Sequence, residues 1–205
     1  MKPVFVILFA MAAGLLSIPI TNTLVIKRGG EKLDIHQSLL ILLLASATYI
    51  LLPYQVVTVS ELSILLLILI CLSVTDIKTR KIPNILLLIL LILKIAAFVF
   101  GFSNTTVLQS VFGLIAGLVI FLIPSFFGSG IGEGDVKFAA ITGFFVGLYG
   151  LAISAIIMMA GLIIYAVILK ILKKGGLHSK APLGPFLAAG LFISFSPLLN
   201  NLIKF

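Results

Sequence analysis

Long apolar segments separated by short polar ones dominate this chain of 205 residues. Hydrophobic residues make up 61% of the sequence and charged residues only 10%, so no polar stretch is long enough to form a soluble domain. We therefore expect one integral membrane domain over residues 1–205. A backbone inside lipid has to satisfy its own hydrogen bonds, and the uninterrupted Leu and Ile runs predict an all-α transmembrane helical bundle.

The apolar segments predict about eight membrane spans, most of them near the roughly 20 residues that cross the hydrocarbon layer as a helix. The third span is short, which suggests that its helix continues past Asp76. The stretch 138–169 is too long for one upright helix, and Gly147, Tyr149 and Gly150 offer a break. The predicted spans are 4–26, 38–58, 61–75, 84–102, 106–127, 135–149, 151–172 and 185–203.

The basic residues provide an independent test of this topology, because Lys and Arg concentrate in cytoplasmic loops. The loops after spans two, four and six contain none of the 14 basic residues. The bias predicts that both termini lie outside and that Asp76 and Asp135 share the cytoplasmic side. The other four loops, counted with the helix ends beside them, hold Lys27, Arg28, Lys32, Lys78, Arg80, Lys81, Lys137, Lys170, Lys173, Lys174 and Lys180.

The net charge of +8 is thus mostly a signal of topology, and we expect a lipid bilayer but no nucleic acid as a partner. Lys94 lies within span four, where it either snorkels to the surface or faces a polar interior. The single cysteine, Cys71, excludes disulfides within the chain and cysteine-based zinc sites. His36 and His178 form no His-Glu-x-x-His motif, so we expect no metal site.

Two aspartates beside apolar segments are the main candidates for chemistry, since ionisable groups in a membrane are costly and usually functional. If Asp76 and Asp135 lie close together, one keeps a proton while the other stays charged. The charged carboxylate would activate water, and the protonated one would hydrogen-bond the peptide carbonyl oxygen. Gly132 and Gly134 would let an extended substrate approach closely. This chemistry needs no cofactor.

Structural roles would also explain these residues. Asp76 would then be a helix-terminal carboxylate neutralised by Lys78, Arg80 or Lys81, and Asp135 would cap span six. Three rival functions remain open at this point. They are an ion- or proton-coupled transporter that uses the same carboxylates, a serine protease built on Ser129 and His178, and a noncatalytic membrane assembly factor.

Three sequence blocks together resemble the type 4 prepilin peptidase family, over roughly residue 62 to the C-terminus. The first is Asp76 followed by Ile82-Pro83-Asn84. The second is Gly-x-Gly-x-Gly-Asp-x-Lys at 130–137, and the third is Ala-Pro-Leu-Gly-Pro-Phe-Leu-Ala-Ala-Gly at 181–190. The resemblance implies an aspartyl endopeptidase that removes the short basic leader of type IV prepilin or pseudopilin precursors at the cytoplasmic face of the cell inner or cytoplasmic membrane.

In this resemblance Asp76 and Asp135 match the catalytic pair. We expect Pro83 to end the polar segment before span four and Asn84 to be the N-cap of that span. Longer family members carry a cysteine-rich segment after the first span and methylate the new N-terminus, whereas the loop 27–37 has no cysteine. We therefore predict no N-methyltransferase activity. Supporting or substrate-binding roles are expected for Gly132, Gly134, Lys137, Pro83, Asn84, Pro182, Gly184 and Pro185.

Overall fold

A computed structural model describes residues 2–50, 56–127, 131–172 and 181–195, and these ranges are helical without a strand. The prediction of an all-α fold is confirmed. Lys173, Lys174, Lys180, Ser129, Gly130, His178 and the end of the last predicted span lie outside the described residues. The helices are α1 (Lys2–Ile26), α2 (Ile35–Ile50), α3 (Val56–Thr79), α4 (Asn84–Val99), α5 (Val107–Phe126), α6 (Glu133–Ile171) and α7 (Gly184–Phe195).

Two of these helices, α5 and α6, are long and apolar enough to cross a membrane. α4 and α7 are also apolar but have only 16 and 12 residues within the described ranges. α5 and α6 expose large apolar side chains such as Phe112 and Ile163, a surface that suits contact with lipid. Eight crossings and outside termini stay predictions.

The long helix α6 is broken at Gly147, whose φ of 74° and ψ of −178° are not helical. A positive φ at a single position is easily adopted only by glycine. The predicted break within 138–169 is therefore confirmed, and Gly147 makes it rather than Tyr149 or Gly150. α6 accordingly consists of two helical parts, 133–146 and 148–171.

The third helix begins earlier than predicted. α3 starts at Val56 instead of residue 61, so the predicted boundary between spans two and three at 59–60 is wrong. Single polar residues such as Ser60 and Glu61 cost a helix little and do not end it. At its other end, α3 continues three residues past Asp76 to Thr79, as the short third span suggested.

Small residues allow the closest helix contact, which lies between α5 and α6. Gly113 and Gly143 face each other so closely that a Cβ on either would collide with the backbone of the other. α6 also packs against α7, and α3 packs against α1, α4 and α7. The core between α3, α4, α6 and α7 includes Leu65, Leu72, Leu90, Phe138, Leu187 and Leu191.

Lys94 lies inside this bundle with only 1% of its surface exposed, so of the two alternatives that the sequence left open it faces a polar interior. Its ammonium group donates hydrogen bonds to Ser103 Oγ at 3.0 Å and to Thr105 Oγ1 at 2.8 Å. It also lies over the ring of Phe98, 4.8 Å from the centroid. Lys94 thereby joins α4 to the segment that leads into α5.

Candidate active site

Asp76 lies in the last turn of α3, and only 5% of its surface is exposed. Its Oδ2 accepts a hydrogen bond of 2.9 Å from the backbone N–H of Gly184, 108 residues later in the chain. Gly184 is the first residue of α7. The N–H groups in the first turn of a helix have no acceptor within the helix. The start of α7 is therefore bound to the Asp76 carboxylate.

This contact requires a glycine at position 184. A Cβ there would lie 2.7 Å from Asp76 Oδ2, closer than real Cβ atoms approach other atoms, and 3.0 Å from Asp76 Cβ, which is a tight contact. Pro182 and Pro185 flank Gly184, and both are half-buried. Pro185 is in the first turn of α7, where a proline costs no helical hydrogen bond. A supporting role for the two prolines stays a prediction.

Asp135 is the third residue of α6, and Gly132 is the N-cap. Asp135 Oδ2 accepts a hydrogen bond of 3.3 Å from the Gly132 N–H, which is the reciprocal half of a capping box. The sequence alternative of a capping role is thus part of the arrangement. However, the second oxygen, Oδ1, is buried and has no hydrogen-bond partner among the described residues. Buried polar atoms are nearly always paired, so a capping role alone does not explain why Oδ1 is buried without a partner.

The two carboxyl groups are close enough to interact electrostatically although they come from different helices. A second contact joins the same two sequence blocks, since a Cβ on Gly134 would lie 3.0 Å from Ile82 Cβ. Gly134 is therefore in contact with the segment that follows α3, so it has a packing role in addition to any contact with substrate. The exposed Gly132 borders the pair on its outer side.

Arg80 also belongs to this group. It follows α3 directly, and its guanidinium interacts electrostatically with the Asp76 carboxyl. The sequence offered Lys78, Arg80 and Lys81 as equal alternatives for this role. Its backbone φ of 51° has no signal in the sequence, because glycine or asparagine is usual at such a position. The contact of Ile82 with Gly134 was also not predicted.

Three other predicted residues lie at the edge of the site. Lys137 Nζ is 3.8 Å from Glu133 Oε2 in a largely exposed pair, which contributes little to stability. Asn84 is exposed and is not the N-cap of α4, so that prediction is wrong. Pro83 holds the cap position with φ −69° and ψ 118°, and its carbonyl accepts the Leu86 N–H at 3.0 Å. Asn84 is already helical and cannot act as a cap.

The arrangement can carry out acid and base chemistry. Two neighbouring carboxyl groups lie beside the exposed Gly132. Asp76 accepts a hydrogen bond from a backbone N–H, and Asp135 has an oxygen without a partner among the described residues. Such a pair can hold one proton and use it during attack by water. In the part of the chain that the structure describes, no three His, Cys, Asp or Glu side chains are grouped so that they could hold a metal ion.

The model of the type IV leader peptidase family matches residues 63–176. This segment is more than half of the chain and contains both Asp76 and Asp135, whereas Gly184 lies beyond it. No curated protein and no solved structure matches the chain.

Proposed function

The chain belongs to the type IV leader peptidase family, and we propose that it is an aspartic endopeptidase whose catalytic pair is Asp76 and Asp135. The observation that carries the proposal is the approach of these two carboxyl groups from the end of α3 and the start of α6. The N–H of Gly184, the first residue of α7, supports the same pair. A single site is thus assembled from three helix ends.

The proposed reaction needs one charged and one protonated carboxyl group. The charged carboxylate takes a proton from water while the water oxygen attacks the peptide carbonyl carbon. The protonated carboxyl donates a hydrogen bond to the carbonyl oxygen and stabilises the tetrahedral intermediate. Collapse of the intermediate breaks the C–N bond, and a proton passes to the leaving amine. We propose no cofactor for these steps.

We propose type IV prepilin or pseudopilin precursors as the substrates, cut at the cytoplasmic face of the cell membrane. Family membership supports a prepilin-type substrate, and the distribution of basic residues supports the cytoplasmic side. A basic leader would stay in the cytoplasm while the apolar helix next to it enters the bilayer. We propose that the two parts of α6 and the other six helices each cross the membrane, with both termini outside.

We expect peptidase activity without N-methyltransferase activity, because the loop 27–37 has no cysteine. In this loop the Leu33 N–H donates to Asn22 Oδ1 at 2.8 Å, so a side chain of α1 holds the short connection. The transporter alternative finds no support. Both aspartates lie at the same end of the bundle, and a transport pathway would favour carboxylates near the middle of the membrane.

Co-expression with a pilin-like precursor tests the proposal. The size of the precursor is followed for the wild type, Asp76→Asn and Asp135→Asn, with Glu133→Gln as a control that removes a carboxylate from the same turn of α6. We expect each aspartate variant to lose about 100-fold or more of the cleavage rate, because each removes a proton carrier. The control should cleave normally. Undiminished cleavage in either aspartate variant would overturn the catalytic pair.

A further inference from the structure

Arg80 has a backbone conformation that an arginine rarely adopts. Its φ of 51° is in the left-handed region, and it is the only non-glycine residue of the described ranges with a positive φ. A helix that ends in this way usually has glycine or asparagine at the position, because a Cβ is strained there. Strained residues are retained where a side chain is needed, and they cluster at functional sites.

The left-handed turn keeps Arg80 close to Asp76. The Arg80 N–H donates a hydrogen bond of 2.7 Å to the Asp76 backbone carbonyl, which closes the last turn of α3. The chain then turns back, and the guanidinium interacts with the Asp76 carboxyl. A glycine would allow the same turn with less strain but would supply no charge. The positive charge of its side chain therefore explains why an arginine, rather than a glycine, suits position 80.

The surroundings of the two carboxyl groups are unequal. Asp76 receives a short hydrogen bond from the first N–H of α7, and the exposed Arg80 guanidinium adds an electrostatic attraction without forming an ion pair with it. Asp135 receives one longer hydrogen bond, and its buried Oδ1 has no partner among the described residues. A charged carboxylate with an unpaired buried oxygen is much more costly than a neutral one.

The helix dipoles of α6 and α3 favour the opposite assignment, with the negative charge on Asp135. Asp135 is at the start of α6, which favours a negative charge, and Asp76 is near the end of α3, which disfavours it. A helix end corresponds to about half an elementary charge, whereas a guanidinium carries a whole one. The start of α7 also lies at Asp76, and its positive helix end offsets the unfavourable effect of the end of α3. Burial opposes a negative charge on both carboxyl groups, and only at Asp76 do a short N–H hydrogen bond and a nearby arginine offset it, so the balance places the negative charge on Asp76.

We propose that Arg80 is a positioning residue that keeps Asp76 as the ionised member of the pair, so that the resting proton is on Asp135. This inference rests on the proposed function and assigns the two roles within it. Asp76 takes the proton from the attacking water. Asp135 offers its proton to the carbonyl oxygen of the substrate, and its unpaired Oδ1 is the oxygen free to do so.

Other charged groups near the pair have to be considered in any pH experiment. α7 carries no titratable side chain between Gly184 and Phe195, and the charged residue of α4, Lys94, is near its far end. α1 has no charged side chain from Met11 to Ile26, and Lys27 and Arg28 follow it. The loop after α1 reaches the same end of α3, since a Cβ on Gly30 would lie 3.1 Å from Thr79 Cγ2, and it adds Lys27, Arg28, Glu31 and Lys32. The remaining charged groups in the segments that flank the two aspartates are Lys78, Arg80, Lys81, Glu133 and Lys137.

The pH dependence of precursor cleavage tests the inference with Arg80→Gly, which fits the left-handed backbone and removes only the side chain. Without the positive charge, Asp76 should take up a proton at higher pH. We expect the acidic limb of the rate profile to move up by about 0.5–1 pH unit, which is a three- to tenfold change in the ionisation constant. Because Arg80 is exposed, high salt should reduce this shift.

Two controls separate charge from structure. Arg80→Lys keeps the charge and should restore the acidic limb, whereas Lys78→Gln removes a charge from the last turn of α3 and should leave the limb unchanged. Arg80→Gly should melt at the wild-type temperature or above, since glycine relieves the strain. If Arg80→Gly has the wild-type pH profile, Arg80 is only a helix terminator and the inference is wrong.

A titration that does not depend on cleavage separates this inference from the proposed function. Infrared spectroscopy follows the carbonyl band of protonated carboxyl groups in Asp135→Asn and in Asp135→Asn with Arg80→Gly. The band of Asp76, identified by its loss in Asp76→Asn, should form at higher pH when Arg80 is replaced. Equal midpoints would overturn the role of Arg80. Failure of the wild type to cleave precursors would instead overturn the proposed function.

Discussion

Buried polar groups occur at both ends of α4, and the two ends satisfy them differently. At the far end, Lys94 donates to Ser103 and Thr105, and Thr105 Oγ1 is also 2.9 Å from Ser110 Oγ. Near the start of α4, Asp135 keeps a buried oxygen without a partner among the described residues. A paired network stabilises a fold, whereas an unpaired oxygen beside a second carboxyl is available to a substrate.

The two clusters are far enough apart to be changed separately. Lys94 follows Asn84 by ten residues, which is about 15 Å along a helix. Substitutions more than about 10 Å apart usually have independent effects. We call the surroundings of Asp76 and Asp135 the aspartate end and those of Lys94 the lysine end. Variants at the aspartate end should change the cleavage rate, and variants at the lysine end should change the free energy of unfolding.

Apart from the two aspartates themselves, the largest effect is expected for Gly184→Ala at the aspartate end. The added Cβ would displace Asp76 Oδ2, which lies 2.7 Å from its position. A displacement near 1 Å lowers catalytic rates by about 100-fold, so we expect a loss of that order. Ala189→Ser, at an exposed position of α7, should keep the wild-type rate. A Gly184→Ala enzyme with the wild-type rate would show that the contact is not needed for cleavage.

The next effect is expected for Thr105→Val at the lysine end. This change keeps the shape but removes the oxygen that accepts the 2.8 Å hydrogen bond from Lys94. A buried ammonium that loses a partner costs about 2 kcal/mol, which thermal or denaturant unfolding in detergent would detect. The cleavage rate of the folded enzyme should stay unchanged. If Thr105→Val lowers cleavage instead of stability, the proposed separation between the two ends is wrong.

A smaller loss of stability is expected for Gly147→Ala at the break in α6. The nearest atoms to an added Cβ lie 3.6 Å away, so space is sufficient and only the φ of 74° is unfavourable. A positive φ combined with a ψ near 180° is a conformation essentially restricted to glycine, and it costs any other residue about 1–3 kcal/mol. Gly101→Ala, also at a positive φ but just after α4, is a comparison variant whose added Cβ would lie in open space. A stabilised Gly147→Ala enzyme would contradict the break.

The smallest effect is expected for Lys137→Gln, which removes the exposed ion pair with Glu133. Such pairs contribute about 0–1 kcal/mol, and unfolding should change by less than that. The rate with a basic precursor decides whether Lys137 also touches the substrate. An unchanged rate would exclude Lys137 from the site at the aspartate end, and a large loss would extend that site to this exposed side chain.

Much of the fold could be predicted from the apolar composition and from the helix-breaking residues. The apolar runs indicated helices, and the excessive length of 138–169 indicated the break that Gly147 makes. The start of α3 was placed wrongly because the polar residues Ser60 and Glu61 were taken to mark the boundary between two spans, although single polar residues are tolerated inside helices. Pro53, which precedes α3, is the stronger helix-breaking signal.

The two aspartates were predicted because isolated charges among apolar residues are conspicuous. Their relation to Gly184 was not predictable in detail, since a hydrogen bond over 108 residues depends on how α3 and α7 pack. Asn84 was taken as a cap from its residue type, but the geometry of Pro83 moved the start of α4 by one position. The positive φ of Arg80 also depends on its tertiary surroundings.

The central claim is that Asp76 and Asp135 act as one catalytic pair. Initial cleavage rates of a pilin-like precursor by Asp76→Asn, Asp135→Asn and the double variant test it most directly, with equal amounts of folded protein in each reaction. Residues that act as a unit have strongly non-additive effects. We predict that the double variant is no slower than the slower single variant. A double variant that loses the product of the two single losses, or a single variant with the wild-type rate, would contradict the claim.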